Sequence, residues 1–254
     1  MDLKLKGKVA VIGGASRGIG RAIAEVFAEE GCRLVIAARG AQGLHSFAGE
    51  LAARGVEVLP VVVDLFADGG PERLIAEAVQ HFGSIDILVN NAGGSSGGTF
   101  VENDLAAFEQ GFQRNFWPAL RASKAALPEL EKSQGVILHV SSIWGREAGG
   151  LISYNAAKAA LISLTKAMGR ELASKGVRVV SVAPGSVLHE GGSWERRQKA
   201  DPQGIADFVK REIPFGRFGQ AREIADVAVF LCSARASWVN GTCVVVDGGQ
   251  SRAF

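Results

Sequence analysis

The stretch YNAAK, residues 154–158, holds the only tyrosine in a chain that has thirteen phenylalanines and four tryptophans. A lysine follows it by four positions, which on a helix places the two side chains one turn apart on one face. A phenol ionises near about pH 10. A nearby ammonium favours the phenolate and lowers that value. Lowered by about 2 to 3 units, at roughly 3 to 4 kcal/mol of local interaction, Tyr154 could donate or accept a proton near neutral pH. Taken alone, the pair reads better as a surface tyrosine beside a solvated lysine. The elements around it must decide.

The run SYNAAKAALISLTKAMGRELASKG is rich in Ala, Leu and Lys, lacks proline, and predicts a helix ending at Gly176. Seven short runs rich in Val and Ile read as strands: KVAVIGG, RLVIAAR, VEVLPVVVD, IDILVNNAG, GVILHVSS, VRVVSVAPG and GTCVVVDGG. They are apolar on both faces, as strands buried in a parallel sheet are. Amphipathic stretches alternate with them, including one long run from about Phe112 to Leu130. This alternation predicts an α/β fold: one Rossmann-like, doubly wound parallel sheet of about seven strands, with helices on both faces. No linker or repeat divides residues 1–254, so one domain is expected, with an excursion over about 185–216 that covers the site.

GGASRGIG, residues 13–20, follows the first strand and opens the first helix. In that setting Gly14, Gly18 and Gly20 let the backbone approach a pyrophosphate, and the helix N-terminus supplies N–H groups and a favourable dipole. The second strand ends LVIAARG, without the acidic residue that would hold a ribose 2′-hydroxyl. Arg39 there, and Arg17 in the glycine turn, are suited instead to a 2′-phosphate. NADP(H) is therefore expected over NAD(H).

With these motifs in order, the chain resembles the short-chain dehydrogenase/reductase family nearly end to end. The glycine turn, including Ser16, Arg17 and Ile19, stands at the family's glycine motif, with Gly13 in place of the usual Thr. VVVDL, with Asp64 and Leu65, resembles the adenine-side segment. NNAG, with Asn91, Ala92 and Gly93, resembles the motif ending the fourth strand. Pro184 and Gly185, with Val187 just beyond, resemble the turn beside the nicotinamide. The resemblance implies that Tyr154 is the general acid or base, and that Lys158 lowers its pKa and binds the nicotinamide ribose. It implies that Ser142 steadies the substrate oxygen and that Asn115 holds a water linking Lys158 to solvent. Ser142 and Tyr154 lie twelve apart, one fewer than the family pattern leads one to expect, and Ser141 stays open as the alternative donor. His189 stands where many members carry a Thr near the coenzyme amide.

The excursion offers His189, Glu190 and Trp194, and the loop after Ser142 offers Trp144 and Arg146, as substrate contacts; Trp194 reads equally as packing under the lid. GGSSGG, residues 93–98, is small and flexible in composition. His139, within a strand, reads as a satisfied core histidine, while His45 and His81 fall in surface patterns. No Cys/His spacing supports a metal. The three cysteines, Cys32, Cys232 and Cys243, sit among apolar neighbours and are expected as buried free thiols. Net charge is +2, so nothing points to nucleic acid or an anionic membrane. No signal peptide or membrane span is legible, and a cytoplasmic protein is expected. The expected activity is interconversion of a ketone and a secondary alcohol. A 3-oxoacyl thioester, a sugar, a steroid or another cyclic alcohol remain open as substrate. Lys132, Arg170 and Lys175 would meet an acidic carrier in the thioester case. A nucleotide-binding sensor without catalysis, and an epimerase or dehydratase, are the competing classes. By resemblance the protein assembles as a homotetramer, or a homodimer, through two long helices near 103–131 and 153–174 and the last strand.

Overall fold

A computed structural model describes residues 1–94 and 97–253; Ser95 and Ser96 of the GGSSGG stretch, and Phe254, lie outside the described residues. The seven expected strands all form: β1 (Val9–Gly13), β2 (Arg33–Ala38), β3 (Val58–Val62), β4 (Ile87–Asn90), β5 (Val136–Val140), β6 (Arg178–Pro184) and, last in the chain, β9 (Thr242–Val246). They make one sheet in the order β3-β2-β1-β4-β5-β6-β9, and every neighbouring pair is parallel. The order reverses between β2 and β4 on either side of β1, which opens a crevice at the carboxyl ends of these strands. Pro60 is tolerated because β3 is an edge strand, where no further neighbour needs its missing N–H.

Because successive strand residues face opposite ways, the sheet separates two cores. Ala10, Ile12, Leu34 and Ile36 pack on one face with Ile23 and Phe27 of α1 (Gly18–Glu29), Phe47 of α2 (Ala41–Ala53) and Val229 of α9 (Ala221–Cys232). Val11, Val35 and Ile137 pack on the other with Leu74 of α3 (Gly70–Phe82), Leu130 of α5 (Trp117–Ser133) and Leu172 of α6 (Ile152–Leu172). The long run expected as one helix is two. α4 (Leu105–Asn115) ends at Phe116, and α5 begins at Trp117 with Pro118 in its first turn. Proline lacks the N–H that would continue the ladder and is favoured at a helix start. α6 ends as expected: a 3₁₀ turn over Ala173–Lys175 leads into Gly176, which caps it at a φ of 77°.

The excursion is built from α7 (Ser193–Ala200) and α8 (Pro202–Glu212). Its base is closed by a two-residue parallel pair, β7 (Val187–Leu188) with β8 (Gly219–Gln220). Cys32 and Cys232 are buried free thiols, both pushed up to about 12 by burial. Cys243 differs from expectation: β9 is an edge strand and leaves that thiol half-buried. Among the described residues no helix is long and apolar enough to cross a membrane, and no group of three potential ligands could hold a metal.

Candidate active site

Two adjoining cavities open at the carboxyl end of the sheet. One, of about 580 Å³, is lined by the glycine turn and by Arg39, Asp64 and Leu65. The other, of about 310 Å³, is lined by Ser142, Tyr154, Lys158 and the turn at Pro184–Gly185. Ile19, Asn91, Gly93 and His189 line both. A larger cavity of about 670 Å³ lies at the amino ends of the strands, among Lys4, Asp86, Arg178 and Trp238, and gathers none of the motif residues.

The larger of the two site cavities fits a dinucleotide. Gly18 opens α1 at a φ of 59°, and a methyl group there would stand 2.9 Å from the His189 ring. A methyl on Gly20 would collide with the Gly14 carbonyl and the Asn91 amide; Asn91 Nδ2 donates to the carbonyls of both Gly13 and Gly14. Asn91 thus braces the turn where Gly20 packs against it, while Gly14, Ser16, Arg17 and Gly18 face the cavity. No side chain caps the start of α1, and no acid lies in its first turn. The first N–H groups are therefore left for an anion such as a pyrophosphate. Val63, Asp64, Leu65 and Ala92 form the opposite wall. Arg39 also faces this cavity. Asp64 approaches Arg39 to 4.0 Å, both side chains being substantially exposed. Arg17 Nη1 donates to the Gly191 carbonyl at 3.2 Å, and Arg196 Nη1 of α7 donates to the same oxygen at 2.8 Å.

In the smaller cavity, Ser142 sits just past the end of β5 and Tyr154 on the first turn of α6. The Ser141 hydroxyl donates to the Lys158 carbonyl at 3.1 Å and ties α6 to the sheet. The Ser142 oxygen accepts from Trp144 N at 3.2 Å and also bonds the Tyr154 phenol. The geometry thus favours Ser142 over Ser141 as the hydroxyl available beside Tyr154. Lys158 is buried and its Nζ donates to the Val140 carbonyl at 2.7 Å. Burial pushes this ammonium down to about 8. The expectation that Lys158 depresses the tyrosine is not met by the chain alone. Loss of water pushes the Tyr154 phenol up, and the Ser142 hydrogen bond pulls weakly against that. The ammonium lies 5.6 Å from the phenol ring centroid, and desolvation outweighs it.

Asn115 is buried behind this cavity rather than in its wall. Its Nδ2 donates to the carbonyls of Gly94 and Gly111, each at 3.0 Å, and its Oδ1 accepts from Gly94 N at 3.0 Å. Both amide protons are committed, so the side chain pins the glycine segment next to Lys158. Val187, in β7, lines the cavity, and the turn before it is held by Gln250, whose Oε1 accepts from Ser186 N at 2.8 Å.

The substrate-side expectations divide. Trp144, His189 and Trp194 line the small cavity. Trp194 also packs within the lid, stacked on Phe208 at 4.7 Å and near Phe218 at 5.2 Å. Arg146 is a correction: it is not part of this wall, and it turns toward Cys243 of β9. Lys132 and Lys175 are paired with Glu129 and Glu131 at 2.6 Å each, and neither they nor Arg170 reach the cavities. His139 is fully buried, with Nδ1 2.9 Å from Thr165 Oγ1. Sequence reasoning missed Arg196 and Arg197, which reach one cavity each. The only signal was the basic pair in the polar run WERRQK.

Comparison with known proteins places this geometry. Residues 14–251 match a family model described as enoyl-(acyl carrier protein) reductase. A 3-oxoacyl-(acyl carrier protein) reductase of Aquifex aeolicus is 35% identical, over 98% of this chain and 100% of its own. A solved L-sorbose reductase from Gluconobacter frateurii, complexed with NADPH and L-sorbose, superposes with a TM-score of 0.94 at 34% identity, covering 100% of both chains. A solved 7α-hydroxysteroid dehydrogenase, complexed with NADH and 7-oxo glycochenodeoxycholic acid, gives a TM-score of 0.91 at 32% identity, covering 99% of this chain and 97% of its own. The chain belongs to the short-chain dehydrogenase/reductase family and is one of its nicotinamide-dependent oxidoreductases.

Proposed function

We propose that this enzyme reduces a ketone to a secondary alcohol, with NADPH preferred over NADH. The observation that carries the reading is the convergence of Ser142, Tyr154 and Lys158 on one cavity that opens into the dinucleotide-shaped one. A nicotinamide coenzyme bound across the two supplies the hydride. The chain's own residues handle the proton and the charge at the carbonyl oxygen. Burial keeps the Tyr154 phenol protonated at neutral pH, as an acid for reduction requires. Ser142, already bonded to that phenol, donates to the developing oxyanion. Lys158 places a buried cation beside the pair and steadies negative charge on Tyr154 once its proton has left. Asn115 is a positioning residue that fixes the Gly93–Gly94 wall. Arg17 and Arg39 support the NADPH preference, since both face the coenzyme cavity and neither has a close bidentate acid. Related chains hold NADPH in one case and NADH in another, so the preference rests on these arginines.

The same reading extends to assembly and location. The exposed Leu105, Trp117 and Ile152 on α4, α5 and α6, and the open edge at β9, support a homotetramer or homodimer. Three free thiols support a cytoplasmic protein.

The test is consumption of reduced coenzyme across ketones, namely a keto-sugar, a cyclic ketone, an oxo-steroid and an acetoacetyl thioester, with Tyr154→Phe alongside. Turnover should fall roughly 10²- to 10⁴-fold in the variant, with coenzyme affinity little changed. Tight NADPH binding with no turnover of any ketone or alcohol would turn the reading toward a sensor.

A further inference from the structure

We infer that the substrate is an anionic ketone, one carrying a carboxylate or phosphate, and that Arg197 of the lid grips that anion. This inference rests on the proposed reductase reading of the same site and goes beyond it.

The described wall of the small cavity contains two full cations, Lys158 and Arg197, and no carboxylate. Lys158 lies at the inner end, bonded to Val140. Arg197 lies at the lid end, so an elongated ligand with its carbonyl at Tyr154 would present its far end to the guanidinium. The cavity, at about 310 Å³, is small. It suits a short polar molecule better than a long acyl chain.

Arg197 is held ready rather than loosely displayed. Its guanidinium carbon lies 5.0 Å from the Trp194 ring centroid, within cation–π range. Trp194 is itself fixed between Phe208 and Phe218. A planar guanidinium resting on an aromatic face keeps its donor edges free for a bidentate acid. The acid nearest in sequence is spent elsewhere: Glu195 accepts from Gly191 N at 2.7 Å and from Lys199 Nζ at 2.7 Å. The neighbouring Arg196 lies about 100° further round the helix. It lines the coenzyme cavity and donates to Gly191. Adjacent arginines on one short helix thus serve two ligands, Arg196 the coenzyme side and Arg197 the substrate side.

The test uses matched pairs: levulinate and acetoacetate against their methyl esters, and dihydroxyacetone phosphate against dihydroxyacetone. Binding is read by calorimetry on the protein with and without NADP⁺, and turnover by coenzyme consumption, for wild type, Arg197→Gln and Arg197→Lys. Wild type should prefer one class of anion over its neutral partner by roughly 10- to 100-fold. That preference should collapse toward parity in Arg197→Gln and survive in part in Arg197→Lys. The carboxylate and phosphate arms distinguish the two anions. Equal binding of anions and neutral partners by wild type would overturn the inference. So would an unchanged preference in Arg197→Gln, or a variant that loses only NADPH affinity. If wild type binds no NADPH, the reductase reading fails, while calorimetry of the anions on the protein alone still reads Arg197.

Discussion

His139 sits on β5 one residue before the carbonyl that holds Lys158, and its imidazole is fully buried. Burial first, and the Lys158 charge second, push it from its ordinary 6.5 down to about 3. Thr165 Oγ1 already donates to the Leu161 carbonyl, so it accepts from His139 Nδ1, fixing a neutral ring protonated at Nδ1. In the unfolded chain the imidazole takes up a proton as pH falls below 6.5, while the folded protein refuses it until about 3. The stability associated with the neutral ring is therefore fully present above 6.5 and is lost progressively between these values. At about pH 5 the loss is roughly 2 kcal/mol, and at about pH 4 roughly 3 kcal/mol. The perturbation is His139→Gln, which cannot titrate. Denaturant unfolding of wild type and variant at about pH 7.5 and about pH 5 should show wild type losing roughly 2 kcal/mol more than the variant over the interval. Only the difference in slope matters, since the variant also loses packing at every pH. Equal slopes would refute the reasoning, as would a His139 ring proton resonance that titrates at about pH 5 or above.

Two further outcomes follow from the site. Lys158, pushed down to about 8, loses its charge as pH rises through that value while the raised Tyr154 phenol stays protonated; kcat/KM for reduction should therefore fall above about pH 8, and a profile flat to about pH 10 would contradict this. Gly20→Ala would drive a methyl group into the Gly14 carbonyl and the Asn91 amide; coenzyme affinity, read by fluorescence titration, should drop at least about 10-fold, a loss of roughly 1.4 kcal/mol or more.

The sheet was legible because each strand is apolar on both faces, a pattern that only a covered parallel sheet explains. The glycine turn was legible because its position after β1 carries the meaning that its glycines alone do not. The break at Phe116 was not, since Pro118 could begin a helix or kink one, and only packing decides. β7 and β8 have two residues each, too few for any periodicity. The direction of the Tyr154 shift was misread for a physical reason. Sequence spacing shows that a lysine is near, yet not that its Nζ is bonded to Val140 or that burial raises the phenol. Arg197 was invisible because its significance depends on Trp194, whose own orientation is set by Phe208 and Phe218 further along the chain.

The Gly191 carbonyl accepts from Arg17 beneath it and Arg196 above it, so a single peptide oxygen knots the glycine turn to the lid. An anion that draws Arg17 away unties one strand of that knot. Seating of the lid and filling of the turn are then one equilibrium seen from two ends. By reciprocity, whatever a seated lid gains at one end must change the grip at the other by the same factor. A ligand at the glycine turn and a ligand under the lid would then change each other's affinity through that oxygen alone, with no signal passed through the core.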